Sequence, residues 1–257
     1  MYLGLVTYNL AKDWDIPTII EKCTTTGFEG VELRTTHAHG VELTLSPEQR
    51  RKVKTQFEDS PIQLVGLGSV FEYHSPQPEV VRQNIEGTKE YVKLAQDVGA
   101  PGVKVRPNGF PPPEAGVPRE KTLEQIGLSL RECGEFAKDY GVEIRLEVHG
   151  PETCKLPHIH QIMENADHDN VFVCWNSNQM DVDESGSVEK NFNLVRDKIR
   201  LAHITELCRE EYPWQELFSL LKTSGYQGFC LAEIPESPEP ERLMRYYRAL
   251  FKAYVGG

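Results

Sequence analysis

The sequence predicts a single-domain α/β fold, a (β/α)8 TIM barrel that occupies residues 1–257. Short apolar, β-branched segments alternate eight times with longer segments of helical periodicity, and the chain has the roughly 250 residues that such a barrel needs. Strands joined through helices run parallel, because each helix returns the chain to the same end of the sheet. An open doubly wound sheet fits less well, since there are too many units and no glycine-rich phosphate loop follows the first strand.

Each predicted strand is a short apolar run rich in β-branched residues. Pro107 ends the fourth run, because proline has no N–H to offer to a neighbouring strand. The eight strands are expected over residues 3–8, 30–34, 62–67, 102–106, 142–148, 171–175, 199–204 and 228–234.

The helices between these strands are bounded by capping residues. Ser46, Pro47 and Glu48 provide an N-cap, a first-turn proline and an acid near the positive end of the helix dipole. Gly27 and Gly99 are placed as C-caps. The helices are expected over residues 16–26, from 46 onward, and over 78–98, 119–140, 157–166, 188–196, 214–222 and 238–254.

Composition excludes several classes of function. The formal net charge of -11 argues against nucleic-acid binding as the main role, because a phosphate backbone attracts a basic surface. No targeting signal is visible at the N-terminus, and no apolar run approaches the length of a membrane helix. The six cysteines are widely spaced without a C-x-x-C pair, so they are expected to be reduced thiols in a cytoplasmic protein with no membrane partner.

Polar side chains follow every predicted strand. In a parallel barrel the active site lies at the carboxyl ends of the strands, and a charged group late in a buried strand is costly without a partner or ligand. Each residue alone could be a satisfied core polar group, but all eight strands ending this way favour one shared pocket. These residues are Tyr8, Asn9, Glu32, Arg34, Ser69, Lys104, Arg106, Glu147, His149, Asn176, Asn178, Gln179, His203, Glu206, Arg209 and Glu233.

Glu147, His203 and Glu233 stand out within this set. They end the fifth, seventh and eighth strands, so two carboxylates and an imidazole converge on one axis. Such a group suits a divalent metal such as Mn²⁺, Mg²⁺, Co²⁺ or Zn²⁺. A buried carboxylate–histidine–arginine network without metal is the alternative.

Four segments resemble the xylose isomerase-like TIM barrel superfamily, in its sugar phosphate isomerase/epimerase group. Residues 27–32, GFEGVE, resemble the family's second strand, and residues 146–150, LEVHG, resemble its fifth. Residues 201–206, LAHITE, and the pair Ala232-Glu233 resemble the seventh and eighth. No single motif is specific, but the ordered set covers the whole chain.

The resemblance implies a divalent metal held by a Glu, an Asp, a His and a Glu on strands five to eight. Glu147, His203 and Glu233 match three of these positions, whereas Asn176 stands where the family has Asp and Gln179 where it has His. An amide oxygen can bind a metal but carries no charge, so weaker metal binding is expected. The metal ligands implied are thus Glu147, Asn176, His203 and Glu233.

The resemblance also implies a mechanism. A metal polarises the carbonyl of a sugar or sugar-like substrate, Glu147 and Glu233 remove and return a proton, and an enediolate forms between the two steps. Lys104, Arg106 or Arg209 would stabilise the enediolate, and Gln179 would orient a hydroxyl without moving a proton. The residues expected to bind substrate are Lys104, Arg106, His149, Asn178, Gln179 and Arg209.

Other functions remain open at this point. The same carboxylate pair could serve a lyase or dehydratase acting on a keto-sugar or cyclitol, or the barrel could bind a carbohydrate without turning it over. An AP-endonuclease-like role is disfavoured, since those enzymes hold several metals with many His and Asp residues that this chain lacks. By analogy with relatives that are dimers or tetramers, a homo-oligomer is expected.

Overall fold

Eight parallel strands hydrogen-bond in chain order and close into a barrel, in a computed structural model that describes residues 1–256. Closure comes from β1 pairing with β8, with Leu3 opposite Cys230. This confirms the predicted (β/α)8 barrel. The strands are β1 Tyr2–Val6, β2 Gly30–Arg34, β3 Gln63–Glu72, β4 Gly102–Arg106, β5 Glu143–Glu147, β6 Val171–Asn176, β7 Ile199–Ile204 and β8 Phe229–Ala232.

The helices surround the barrel and begin and end largely at the predicted caps. Ser46 Oγ accepts a hydrogen bond from the Gln49 amide, while the Gln49 side chain accepts one from the Ser46 amide, which completes a capping box. Gly27 and Gly99 end their helices in the left-handed conformation. The helices are α1 Ile16–Thr26, α2 Pro47–Glu58, α3 Pro78–Val98, α4 Arg119–Lys138, α5 Leu156–Ala166, α6 Glu189–Asn193, α7 Trp214–Thr223 and α8 Pro240–Gly256.

Two predicted elements differ most in length from those observed. The strand predicted over residues 62–67 runs on to Glu72 as β3, whose pairing with β4 is irregular between Gly68 and Glu72. The helix predicted over 188–196 is shorter: α6 covers Glu189–Asn193, and a separate 3₁₀ turn follows at Arg196–Lys198. Within residues 1–256, no helix combines the length and the apolarity needed to cross a bilayer.

The buried apolar residues form a large core between strands and helices and a smaller cluster inside the barrel. The inner cluster consists of Val6, Val65, Cys174, Leu201 and Leu231. Side chains two residues apart on a strand point the same way. The residues two positions after Cys174, Leu201 and Leu231 therefore also point inward, one layer nearer the carboxyl ends of the strands.

Candidate active site

That next layer contains the predicted carboxylates and imidazole. A carboxylate oxygen of Glu147, one of Glu233 and a ring nitrogen of His203 lie within 4.8 Å of one another. His203 Nδ1 is 3.2 Å from Glu147 Oε1 and 3.9 Å from Glu233 Oε2. Glu147 and His203 are almost fully buried, whereas 21% of the Glu233 side chain remains exposed. The three strand ends thus meet at one point, and Glu233 is the member most open to solvent.

Lys104 joins this group from β4. Its Nζ lies 2.7 Å from Glu147 Oε2, and both side chains are buried. Burial lowers the pKa of Lys104, but the Glu147 and Glu32 carboxylates outweigh this and raise it above its ordinary value. The ammonium group therefore stays charged and neutralises the Glu147 carboxylate within the site.

The two carboxyl groups have pKa values displaced in opposite directions. Burial raises the pKa of Glu147, but Lys104 and His203 outweigh burial and hold the pKa well below its usual range. Burial also raises the pKa of Glu233, and there the attraction of His203 does not offset it. Two carboxyl groups whose pKa values are displaced in opposite directions are suited to serve as a base and an acid.

Asn176 lies beside Glu147, at the position predicted to replace the family's Asp. Its Nδ2 donates a hydrogen bond of 3.1 Å to Glu147 Oε1, and the side chain is buried. Asn176 is paired in register with His203 across β6 and β7. The amide is thus within reach of the cluster, with its nitrogen turned toward the carboxylate.

The predicted substrate-binding residues divide into two groups. Arg106 and His149 follow Lys104 and Glu147 by two positions, and both are half-buried. Arg106 Nε and His149 Nδ1 are buried atoms with no hydrogen-bond partner within the described chain. Burial lowers the pKa of His149 below its usual value, although Glu147 opposes this, so the ring favours its neutral form.

Asn178, Gln179 and Arg209 lie on loops, and their side chains differ in contacts and exposure from those of Arg106 and His149. Asn178 Nδ2 donates to the Val148 and Asn176 carbonyls, which ties the ends of β5 and β6 together. Gln179 is exposed on a 3₁₀ turn, and the half-exposed Arg209 guanidinium pairs with Glu206 at 3.2 Å. The structure does not join these three side chains to the buried cluster by a hydrogen bond between described residues.

Sequence reasoning placed Glu32 among the pocket residues without a specific role, and it did not single out Glu72 or Asp181. Glu32 lies in the barrel interior beside His203, and Glu72 lies 3.5 Å from the Arg106 guanidinium. Asp181 follows β6 on the 3₁₀ turn Gln179–Asp181 and is fully buried. The signal for Glu32 was a carboxylate within a buried strand and a family-like motif. Asp181 gave no signal, since it lies in a polar stretch that reads as loop.

The donor set fits a divalent cation. Two carboxylates and one imidazole nitrogen, close enough to share an ion, match the ligands that Mn²⁺, Co²⁺ and Zn²⁺ take in proteins. Asn176 adds an amide close to the same carboxylate. Glu147, His203 and Glu233 could therefore hold a metal, and Asn176 could be a neutral fourth ligand once its amide turns to present the oxygen in place of the nitrogen that now donates to Glu147.

A sequence profile of the xylose isomerase-like TIM barrel family matches residues 20–254, which is most of the chain. The chain belongs to the xylose isomerase-like TIM barrel family. It is 25% identical over 250 residues to an inosose isomerase of Halalkalibacterium halodurans, an alignment covering 88% of this chain and 83% of that protein.

Solved structures share the fold. A D-psicose 3-epimerase from Clostridium cellulolyticum H10, crystallised with D-tagatose, superposes with a TM-score of 0.84 at 16% identity over 99% of each chain. The IolI protein with a bound zinc atom superposes with a TM-score of 0.80 at 18% identity, covering 100% of this chain and 98% of that one. The predicted family and barrel are confirmed.

Proposed function

We propose that this protein is a metal-dependent isomerase or epimerase that acts on a sugar or sugar-like keto/hydroxy substrate through an enediolate. The observation that carries the proposal is the meeting of two carboxyl groups, Glu147 and Glu233, with the His203 imidazole at one point at the strand ends, where one ligand atom from each lies within 4.8 Å of the others. The inosose isomerase relative and the psicose epimerase neighbour support the reaction class.

In this proposal Glu147 removes a proton from the substrate and Glu233 returns one. Glu147 is the ionised group, so its carboxylate takes a proton from the carbon next to the substrate carbonyl. Glu233 holds a proton more readily and returns one at the neighbouring carbon or on the opposite face. After turnover Glu147 carries the proton taken from the substrate and Glu233 has lost one; the cycle closes when that proton passes from Glu147 to Glu233, whose carboxylate lies within 4.8 Å and also exchanges protons with solvent.

The remaining groups position the substrate and balance charge. A divalent cation, when bound by Glu147, His203, Glu233 and Asn176, would polarise the carbonyl and lower the pKa of the adjacent C–H. The Lys104 ammonium lies against Glu147 and stabilises negative charge that develops nearby. Arg106 and His149, half-buried and two positions beyond Lys104 and Glu147, would contact substrate hydroxyls in the layer above.

Incubation in D₂O tests the reaction class directly. Inosose, D-psicose and D-tagatose would each be incubated with the Mn²⁺-, Co²⁺- or Zn²⁺-supplemented protein and followed by NMR. We expect deuterium at the carbon beside the carbonyl of at least one compound, together with its isomer or epimer. An elimination product would instead identify a lyase, and binding without exchange would identify a carbohydrate-binding barrel.

Substitution of the two carboxylates tests their roles. Glu147→Gln and Glu233→Gln should each reduce turnover by at least about 10²-fold, since general acid–base groups contribute 10²–10⁴-fold. Glu236→Gln is the matched control, because Glu236 lies on the same loop as Glu233 but is largely exposed and pairs with Lys12. Full activity in either site variant would contradict the assignment.

A further inference from the structure

Glu32 is a buried carboxylate that the proposed chemistry does not use. Its side chain and that of His203 are each 1% exposed, and His203 Nε2 lies 3.3 Å from Glu32 Oε1. Within residues 1–256 this is the only ion-pair contact of either Glu32 or His203 Nε2, and neither Glu32 oxygen accepts a hydrogen bond from another residue. Burying a carboxylate in this way costs folding free energy unless a neighbouring group of opposite charge stabilises it.

The two nitrogens of His203 face different carboxylates. Nδ1 faces Glu147 at 3.2 Å and Glu233 at 3.9 Å, whereas Nε2 faces Glu32. A ring nitrogen must be unprotonated to bind a metal, and the other nitrogen then carries the proton. If Nδ1 is the ligand, the proton resides on Nε2, whose one carboxylate contact within residues 1–256 is Glu32 Oε1, 3.3 Å away but without hydrogen-bond geometry in this structure.

The chain makes room for this carboxylate with glycine. A Cβ at Gly68 would lie 2.8 Å from Glu32 Oε1, and one at Gly66 would lie 3.7 Å from Glu32 Oε2. The backbone of Gly68 is also paired with Arg34, two residues beyond Glu32. A side chain at position 68 would therefore displace the Glu32 carboxylate without altering its charge.

We propose that Glu32 is a positioning residue for the metal centre: it accepts the Nε2 proton of His203 and keeps Nδ1 turned toward Glu147 and Glu233. This inference rests on the metal binding proposed above. Carboxylates that hold a metal-binding histidine in this manner typically change metal affinity 10- to 100-fold when removed.

Metal titration of the metal-free protein tests the inference without any activity assay. Dissociation constants for Mn²⁺, Co²⁺ and Zn²⁺ would be measured by calorimetry for the wild type, Glu32→Gln and Gly68→Ala. We expect binding to weaken about 10- to 100-fold in Glu32→Gln and to weaken in Gly68→Ala as well. Glu143→Gln is the matched control, because it alters a carboxylate paired with buried Arg145 at the opposite end of β5 and should leave the constants unchanged.

A spectroscopic measurement identifies the nitrogen that carries the proton. In the zinc-loaded wild type, long-range ¹H–¹⁵N spectra should show His203 protonated at Nε2. Proton on Nδ1, or unchanged metal affinity in both Glu32→Gln and Gly68→Ala, would overturn the inference while leaving metal binding in place. A wild type that binds none of the three metals would overturn the metal-dependent function and this inference together. If Glu32→Gln does not fold, the metal affinity of Gly68→Ala and the protonation site of His203 in the wild-type spectrum still test the inference.

Discussion

The buried carboxyl of Asp181 provides a quantitative test of the structure. Asp181 Oδ2 accepts hydrogen bonds from the Tyr212 hydroxyl at 2.9 Å and from the Asn178 amide at 2.8 Å, while Oδ1 has no partner among residues 1–256. Burial outweighs these hydrogen bonds and raises the pKa of Asp181 to about 8, from an ordinary value of 3.8. The folded protein therefore keeps a proton that the unfolded chain releases.

This proton makes stability fall as pH rises. Between pH 5 and pH 7 the folded carboxyl is protonated and the unfolded one is ionised, so the free energy of unfolding decreases by about 1.36 kcal/mol per pH unit. Over these two pH units the contribution of Asp181 falls by about 3 kcal/mol. The substitution Asp181→Asn retains an oxygen for both hydrogen bonds and cannot ionise, so it removes this dependence.

Urea unfolding of both proteins at pH 5 and pH 7 measures the effect. The unfolding free energy of Asp181→Asn, relative to wild type, should increase by about 3 kcal/mol from pH 5 to pH 7. Asp197→Asn is the control, since that side chain is 89% exposed, and its difference from wild type should be independent of pH. Parallel stability curves for Asp181→Asn and wild type would refute the reasoning, because they would mean that the Asp181 carboxyl ionises in the folded state.

Three further substitutions test other parts of the structure by thermal or urea unfolding. Lys104→Met leaves the Glu147 carboxylate buried without its cation and should destabilise the metal-free protein by about 3–5 kcal/mol; an unchanged melting temperature would contradict the buried ion pair. Gly4→Ala places a Cβ 2.7 Å from the Gly30 carbonyl oxygen within the barrel wall and should cost about 1–3 kcal/mol, whereas wild-type stability would contradict that close approach. Ser46→Ala removes one half of a capping box and should lower the unfolding free energy by about 1 kcal/mol, with no change expected if the helix begins elsewhere.

The sequence by itself determined the barrel and the central residues of its candidate site. Eight alternating strand and helix patterns require a parallel sheet, and parallel strands place their carboxyl ends at one mouth. Their convergence could therefore be predicted for Glu147, His203 and Glu233, because each lies near the carboxyl end of its strand. The family was also recognisable from short motifs on these strands.

Only the tertiary structure decided which groups contact which. The pairing of Lys104 with Glu147, and of Glu32 with His203, depends on how each strand is shifted along its neighbour, including the irregular pairing of β2 with β3 between Val31 and Glu32. The burial of Asp181 likewise depends on Tyr212, which is 31 residues away in the chain. Local periodicity specifies which way a side chain points, but strand register and loop packing determine its partner and its exposure to water, and these in turn set its pKa.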